Sequence, residues 1–221
     1  MELSNALAFL KALAKNNNRD WFEKNKPKYH VAKEQFEDFL EAFHRELIMF
    51  DEGLAAINPR KQAFRIYRDV RFSKDKSPYK INFGAGFSPK GKMEQEPGYY
   101  IHIQPNNQSF IAGGLYMPDP ENLAKIRQEV DYNSSVFGKI LSNKNFKKTF
   151  PAGLDDFDSL KTAPKGYPKD HPHLDWLKHR SFIVSHPFTD QEVADKKFPK
   201  KVAAICKTLK PLNDFLTQAI A

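Results

Sequence analysis

Apolar residues recur along the first fifty positions at spacings of three and four. Leu7, Leu10 and Leu13 form one series, and Phe36, Leu40, Phe43 and Leu47 form a longer one. That spacing turns one stripe of a helix toward a core. The first series predicts a helix capped by Ser4 that stops at Asn16-Asn17-Asn18, where Asn18 is placed to cap a short turn carrying Trp21 and Phe22. The second predicts a long helix from about Pro27 to Phe50.

Between Phe64 and Tyr116 the period shortens to two. FRIYRDVRF (64–72), INFGAGF (81–87), YYIHIQ (99–104) and SFIAGGLY (109–116) read as strands, separated by runs of Ser, Pro, Gly, Asn and Lys. Such short connections favour an antiparallel meander. Helices return at Asp119-Pro120, a cap followed by a first-turn proline, leading into Leu123, Ile126 and Val130. Two shorter helical pieces follow near 134–141 and 143–149, and residues 151–172, rich in Pro, Gly and Asp, read as an ordered connection. SFIVSHPF (181–188) supplies a fifth strand, and a last helix runs from about Asp190 to Ala219, interrupted near Pro199 and Pro211. With no repeat and no linker in view, residues 1–221 are expected to form a single α+β domain, an antiparallel sheet of four to five strands covered on one face by helices.

Composition adds limits to this outline. An apolar content of 40% over 221 residues is enough to bury a sizeable core. No run approaches the eighteen apolar residues of a membrane span. Glu2 and Lys11 sit where a secretion signal needs positive and apolar residues. The single cysteine, Cys206, has no internal disulfide partner, and its place in the run VAAIC predicts a buried, inert thiol. A cytoplasmic location is the expectation that follows.

The net charge of +8 is informative once located. Of 35 basic and 27 acidic residues, ten and two fall between Arg60 and Lys92, which leaves 25 of each elsewhere. The whole excess lies in one segment, and an anionic partner is the direct reading. By strand parity Phe64, Ile66, Val70 and Phe72 share one face, while Arg65, Tyr67, Asp69 and Arg71 share the other. The same rule sets Asn82, Gly84, Gly86 and Ser88 opposite an apolar face, with Tyr100, His102 and Gln104 beside them. The second face of the sheet is therefore expected to be polar, cationic and floored by glycine, so that a ligand reaches the backbone closely. Arg68 falls by parity among apolar residues, where a guanidinium needs a partner. It is expected either to pair with Asp69 or Asp75 or to be turned out by a bulge.

The block Arg68-Asp69-x-Arg71-Phe72-Ser73-Lys74-Asp75-Lys76-Ser77-Pro78-Tyr79-Lys80 resembles the hallmark of an uncharacterised family, the domain of unknown function numbered twenty-four sixty-one. Similar matches occur at Asn17-Asn18-Arg19-Asp20-Trp21-Phe22, Gly98-Tyr99-Tyr100, Gly113-Gly114, Pro164-Lys165-Gly166-Tyr167 and Asp170-His171-Pro172. The resemblance spans nearly the full chain. It implies an α+β domain and carries over no reaction, cofactor or catalytic residue.

The sequence names no cofactor and no reaction. It lacks a phosphate-cradling loop, a dinucleotide fingerprint and a nucleophile elbow. The expected activity is binding of a small anion, phosphorylated ligands included, by Arg65, Arg68, Arg71, Lys74, Lys76, Tyr79 and Lys80. Asp69 or Asp75 is a candidate base and His102 a candidate proton shuttle. His171, His173, Asp175 and His179 form a cluster whose residue types suit a divalent metal, but only part of a ligand set is local and no metal is assigned. Single-stranded nucleic acid is the alternative partner, its phosphates met by the basic block and its bases stacked on Tyr67, Tyr79 and Tyr100. A structural or partner-docking role without catalysis is the other alternative.

Overall fold

Burial of the two predicted apolar stripes builds the helical layer. The computed structural model describes residues 3–92 and 95–221. Helix α1 (Ser4–Lys15) buries Leu7, Leu10 and Leu13, and α3 (Lys26–Leu47) buries Phe36, Phe39, Leu40, Phe43 and Leu47. Between them lies α2 (Arg19–Lys24), where the Asn18 side chain accepts from the Trp21 amide as the sequence predicts. Ser4 does not cap α1: it lies inside the first turn, preceded by buried Leu3. The pull of Leu3 into the core outweighs the local preference of a serine for the cap.

Four strands, β1 (Phe83–Phe87), β2 (Gly98–Ile103), β3 (Ser109–Leu115) and β4 (Phe182–Phe188), pair antiparallel in the order β1-β2-β3-β4. Between β3 and β4 the chain makes α4 (Pro120–Tyr132), α5 (Ser134–Ser142), α6 (Lys144–Thr149) and the single turn α7 (Leu174–Leu177). Asp119 caps α4 by accepting from the Asn122 amide, as expected. After β4 come α8 (Asp190–Val193) and α9 (Phe198–Ile220). The expected last helix is thus divided before Pro199, while Pro211 stays inside α9 between buried Leu209 and Leu212. Packing on both sides of Pro211 offsets the roughly 3 kcal/mol that an interior proline costs. Cys206 is buried on α9, and burial drives its thiol pKa well up.

Strand alternation divides the sheet into two faces. Ala85, Phe87, Tyr99, Ile101, Ile111 and Val184 point into the core against α3 and α9. Gly84, Gly86, Tyr100, His102, Phe110 and Ser185 occupy the other face. Gly113 permits this layering, because a Cβ there would stand 2.6 Å from Leu209 of α9. At Gly114, φ is +119°, and a Cβ would meet the Phe182 carbonyl at 1.9 Å.

The segment 64–72 is not a strand, and this corrects the parity argument made from the sequence. Ala63 bridges Ala85, and the Phe64 amide donates to the Gly84 carbonyl at 2.8 Å. Beyond that point the chain leaves β1 and closes on itself: the Arg68 amide donates to Pro78 O at 2.9 Å, and the Lys80 amide to Ile66 O at 2.7 Å. Ile66 is buried, whereas Phe72 is 95% exposed. Aromatic and β-branched residues favour a strand only where a partner strand and a packed face exist. Here the side-chain bonds of Arg68 hold the chain in a loop instead.

Candidate functional site

Arg68 organises the basic block from inside. Its guanidinium donates to Asp75, to the Ser77 carbonyl at 3.2 Å and to Ser73 Oγ at 3.3 Å. Asp75 Oδ1 also accepts from the Ser77 amide at 2.9 Å and the Ser77 hydroxyl at 2.7 Å. The Ser77 bonds and then Arg68 hold the Asp75 carboxyl down at about 2. Arg71 pairs with Asp69 at 2.7 Å, and its guanidinium keeps that carboxyl below the usual range. Both aspartates are therefore ionised and weakly basic at neutral pH, a poor setting for a general base. Lys76 donates to Val70 O at 3.0 Å, while Lys74 is exposed.

Tyr79 belongs to the core: it is 3% exposed and stacks on Phe22 at 4.0 Å. Asn17 fixes its backbone from both sides, accepting from Tyr79 N at 3.1 Å and donating to Tyr79 O at 2.9 Å. What Tyr79 supplies is packing. A cavity of about 390 Å³ lies beside this loop, bordered by Asn17, Arg68, Asp75, Tyr79 and Lys80. The one guanidinium on its wall is already neutralised by Asp75.

A larger cleft, of about 600 Å³, lies on the outer face of the sheet. Its floor is Tyr100, Phe110, Ala112, Ile183 and the backbone of Gly113. Phe64 and Lys92 border it on the β1 side, and Tyr116, Asp155 and Phe157 on the β4 side. The two walls stand where they do because flanking segments extend the sheet at its edges. Phe64 is held on Gly84, and the Asp155 amide donates to Ile183 O at 2.9 Å. Tyr116 and Phe157 stack at 5.9 Å, each more than half exposed. The cleft thus sets exposed aromatic rings beside an apolar hollow.

The cationic end of the cleft is built around Phe64. Lys80 and Lys92 place their ammonium groups 5.7 and 5.8 Å from its ring centroid, within range of a cation–π attraction. Burial, and then nearby Arg65, lower the Lys80 pKa. Among the described residues neither lysine is in an ion pair. Of the sequence-predicted basic set, Lys80 thus reaches the Phe64 ring and Arg65 acts on Lys80, while Arg68 and Arg71 serve the loop.

His102 lies beside the floor, stacked on Phe110 at 4.6 Å. Its Nδ1 is 3.1 Å from the Tyr100 hydroxyl and 3.3 Å from Asn82 Nδ2, and its Nε2 is 2.9 Å from Gln104 Oε1. A neutral ring protonated at Nε2 satisfies all three contacts, donating to Gln104 and accepting from the other two. Burial lowers the His102 pKa, which favours that neutral form, and pushes Tyr100 up to about 12, so its hydroxyl keeps its proton. The glycine floor also has a different occupant from the expected one. A Cβ at Gly84 would fall 2.8 Å from the Tyr100 hydroxyl, so what approaches the backbone there is a tyrosine of the protein itself.

The four candidate metal ligands do not converge. His171 Nε2 meets Asp131 at 2.9 Å and its Nδ1 accepts from the His173 amide. His173 stacks on Trp176, Asp175 is fully exposed, and His179 is buried against Ser159. No group of three or more such ligands occurs among the described residues.

Phe64, Lys92, Phe110, Tyr116, Asp155 and Phe157 were not singled out by sequence reasoning. Alternation around Ile111 and Val184 places Phe110 and Ile183 on the outer face, and apolar residues on a face otherwise read as polar were the available signal. Asp155 and Phe157 lie in an irregular connection that carries no periodicity.

Among the described residues no helix is long and apolar enough to cross a membrane. No curated protein and no solved structure matches the chain. The family model described as a conserved hypothetical protein, DUF2461, matches residues 5–215, and the chain belongs to that family.

Proposed function

We propose that this protein binds a small organic anion with a planar apolar body, held in the cleft on the outer face of the sheet. The observation that carries this reading is the aromatic hollow of Phe64, Tyr100, Phe110, Tyr116 and Phe157 with the Lys92 ammonium at its rim. Its volume suits one small ligand, and a mostly apolar lining with a few polar groups is the usual make-up of such sites. A bare phosphate is a weaker fit, because the arginines of the 68–77 loop already hold Asp69 and Asp75. The contacts favour recognition over catalysis: His102 is occupied by its neighbours on the sheet, and both loop aspartates are ionised.

Isothermal titration with biphenyl-4-carboxylate tests the reading. Binding in the micromolar range is expected, weakened about tenfold or more in Lys92→Ala because a hydrogen bond to a charged group is lost. Absence of binding, or equal affinity in Lys92→Ala, overturns it.

A second reading rests on Phe72, almost wholly exposed with the Arg71 guanidinium 5.8 Å from its ring centroid, in a loop that also carries Lys74 and Lys76. Such a surface suits stacking of a single-stranded nucleic acid base. Binding of an oligonucleotide that weakens steeply with salt and is lost in Phe72→Ala supports it. Salt-independent or absent binding removes it.

A further inference from the structure

The β4 end of the same cleft carries a carboxylate that the protein does not neutralise. Asp155 is half-buried on the cleft wall, where its Oδ1 accepts from the Ser185 hydroxyl at 3.2 Å. Among the described residues no lysine or arginine pairs with it. The titratable group acting on it is His179, itself kept toward the neutral form by burial. Burial is also the largest influence on Asp155 and raises its pKa. A carboxyl taken out of water with Ser185 as its partner, through hydroxyl and backbone, has unused acceptor capacity, and an added donor or cation would relieve the cost of burying it.

Lys92 lies at the β1 end, where its ammonium donates to Ala63 O at 3.2 Å. Ala63 pairs with Ala85 from outside β1, so the strand order places β1, β2 and β3 between the Lys92 contact and Ser185 of β4, on which Asp155 rests. At about 4.8 Å per strand step, four steps set the opposite charges on the order of 15–20 Å apart, with an aromatic floor between them. Resting on the reading of the cleft as a small-molecule site, we infer that its ligand is polarised end to end: an anionic group toward Lys92, a flat apolar body over Tyr100 and Phe110, and an ammonium or comparable hydrogen-bond donor toward Asp155.

Three probes of one shape test this on the full chain. They are 4'-(aminomethyl)biphenyl-4-carboxylic acid, its 4'-methyl analogue without the amine, and 4'-(aminomethyl)biphenyl without the carboxylate. The probe with both charges is expected to bind at least tenfold more tightly than either of the others. Asp155→Asn, which keeps an oxygen for Ser185, is expected to remove the advantage over the 4'-methyl analogue. Equal affinity of the doubly charged and 4'-methyl probes for the unaltered protein overturns the inference while leaving the anion reading intact, and this comparison needs no variant. An advantage that persists in Asp155→Asn also overturns it. Failure of all three probes to bind overturns both.

Discussion

The Tyr100 hydroxyl lies over Gly84, so close that a methyl group on that glycine would stand 2.8 Å from the oxygen and 3.2 Å from the ring. Strand register pairs Tyr100 with Gly86 and His102 with Gly84, so the tyrosine leans diagonally over Gly84 of β1 and meets Nδ1 of His102, two residues on in its own strand. The floor of the cleft is set by this relationship.

Gly84→Ala is therefore expected to displace Tyr100 and to destabilise the protein by about 1–3 kcal/mol through overpacking. Tyr100→Phe removes the oxygen in closest contact, so the double variant is expected to lose less than the sum of the two single changes. Urea denaturation of the four proteins checks this. Additive losses would place the strain elsewhere.

Asp75 yields a pH prediction with a definite sign. Its carboxyl is held at about 2 by Ser77 and Arg68, below the ordinary value of 3.8. A depressed folded-state pKa contributes order that is present above the unfolded value and is lost as pH falls through the folded one, here between about 4 and 2. The Ser77 amide resonance is expected to be flat from pH 7 to 4 and to titrate with a midpoint near 2, as the hydrogen bond it donates to Asp75 weakens. A midpoint near 4 would show that the loop does not hold the carboxylate. Because the pair is exposed, Asp75→Asn at pH 7 should move the global melting temperature little.

Within the basic block, packing and charge separate by residue. Tyr79→Ala removes a buried ring stacked on Phe22 and is expected to cost about 3–5 kcal/mol. Lys74→Ala and Lys76→Ala change exposed side chains and are expected to stay within about 0.5 kcal/mol of the parent. Thermal or urea unfolding of the three variants distinguishes them. A mild Tyr79→Ala would contradict the core role assigned here.

Cys206 is wholly buried on α9, where burial raises its thiol pKa. Thiolate chemistry needs both access and ionisation. The native protein is expected to resist a disulfide reagent at pH 8 for hours and to react fully once unfolded in guanidinium. Prompt native labelling would mean that α9 opens readily.

Periodicity carried most of the fold. The stripes on α1 and α3 and the faces of β1 and β2 could be read from spacing, and the caps at Asn18 and Asp119 from residue type. The one false strand, 64–72, has strand-like composition, but its fate depends on bonds from Arg68 to residues five to nine positions later, which no local pattern encodes. The cleft was harder to see for the same reason. Phe64 and Asp155 reach it through backbone bonds to Gly84 and Ile183, one at each edge of the sheet, and 91 residues separate them in the chain. Charge density singled out residues 60–92, the segment that also supplies Phe64, Lys80 and Lys92. It could not tell a guanidinium consumed by a neighbouring aspartate from an ammonium left beside an aromatic ring.

The central claim is that a ligand lies on the outer face of the sheet, away from the 68–80 loop. Mapping backbone amide shifts during titration with biphenyl-4-carboxylate tests it most directly. Shifts concentrated at Gly113, Tyr116, Asp155 and Ser185 are the predicted result. Shifts confined to residues 68–80, with the sheet amides unmoved, would contradict it.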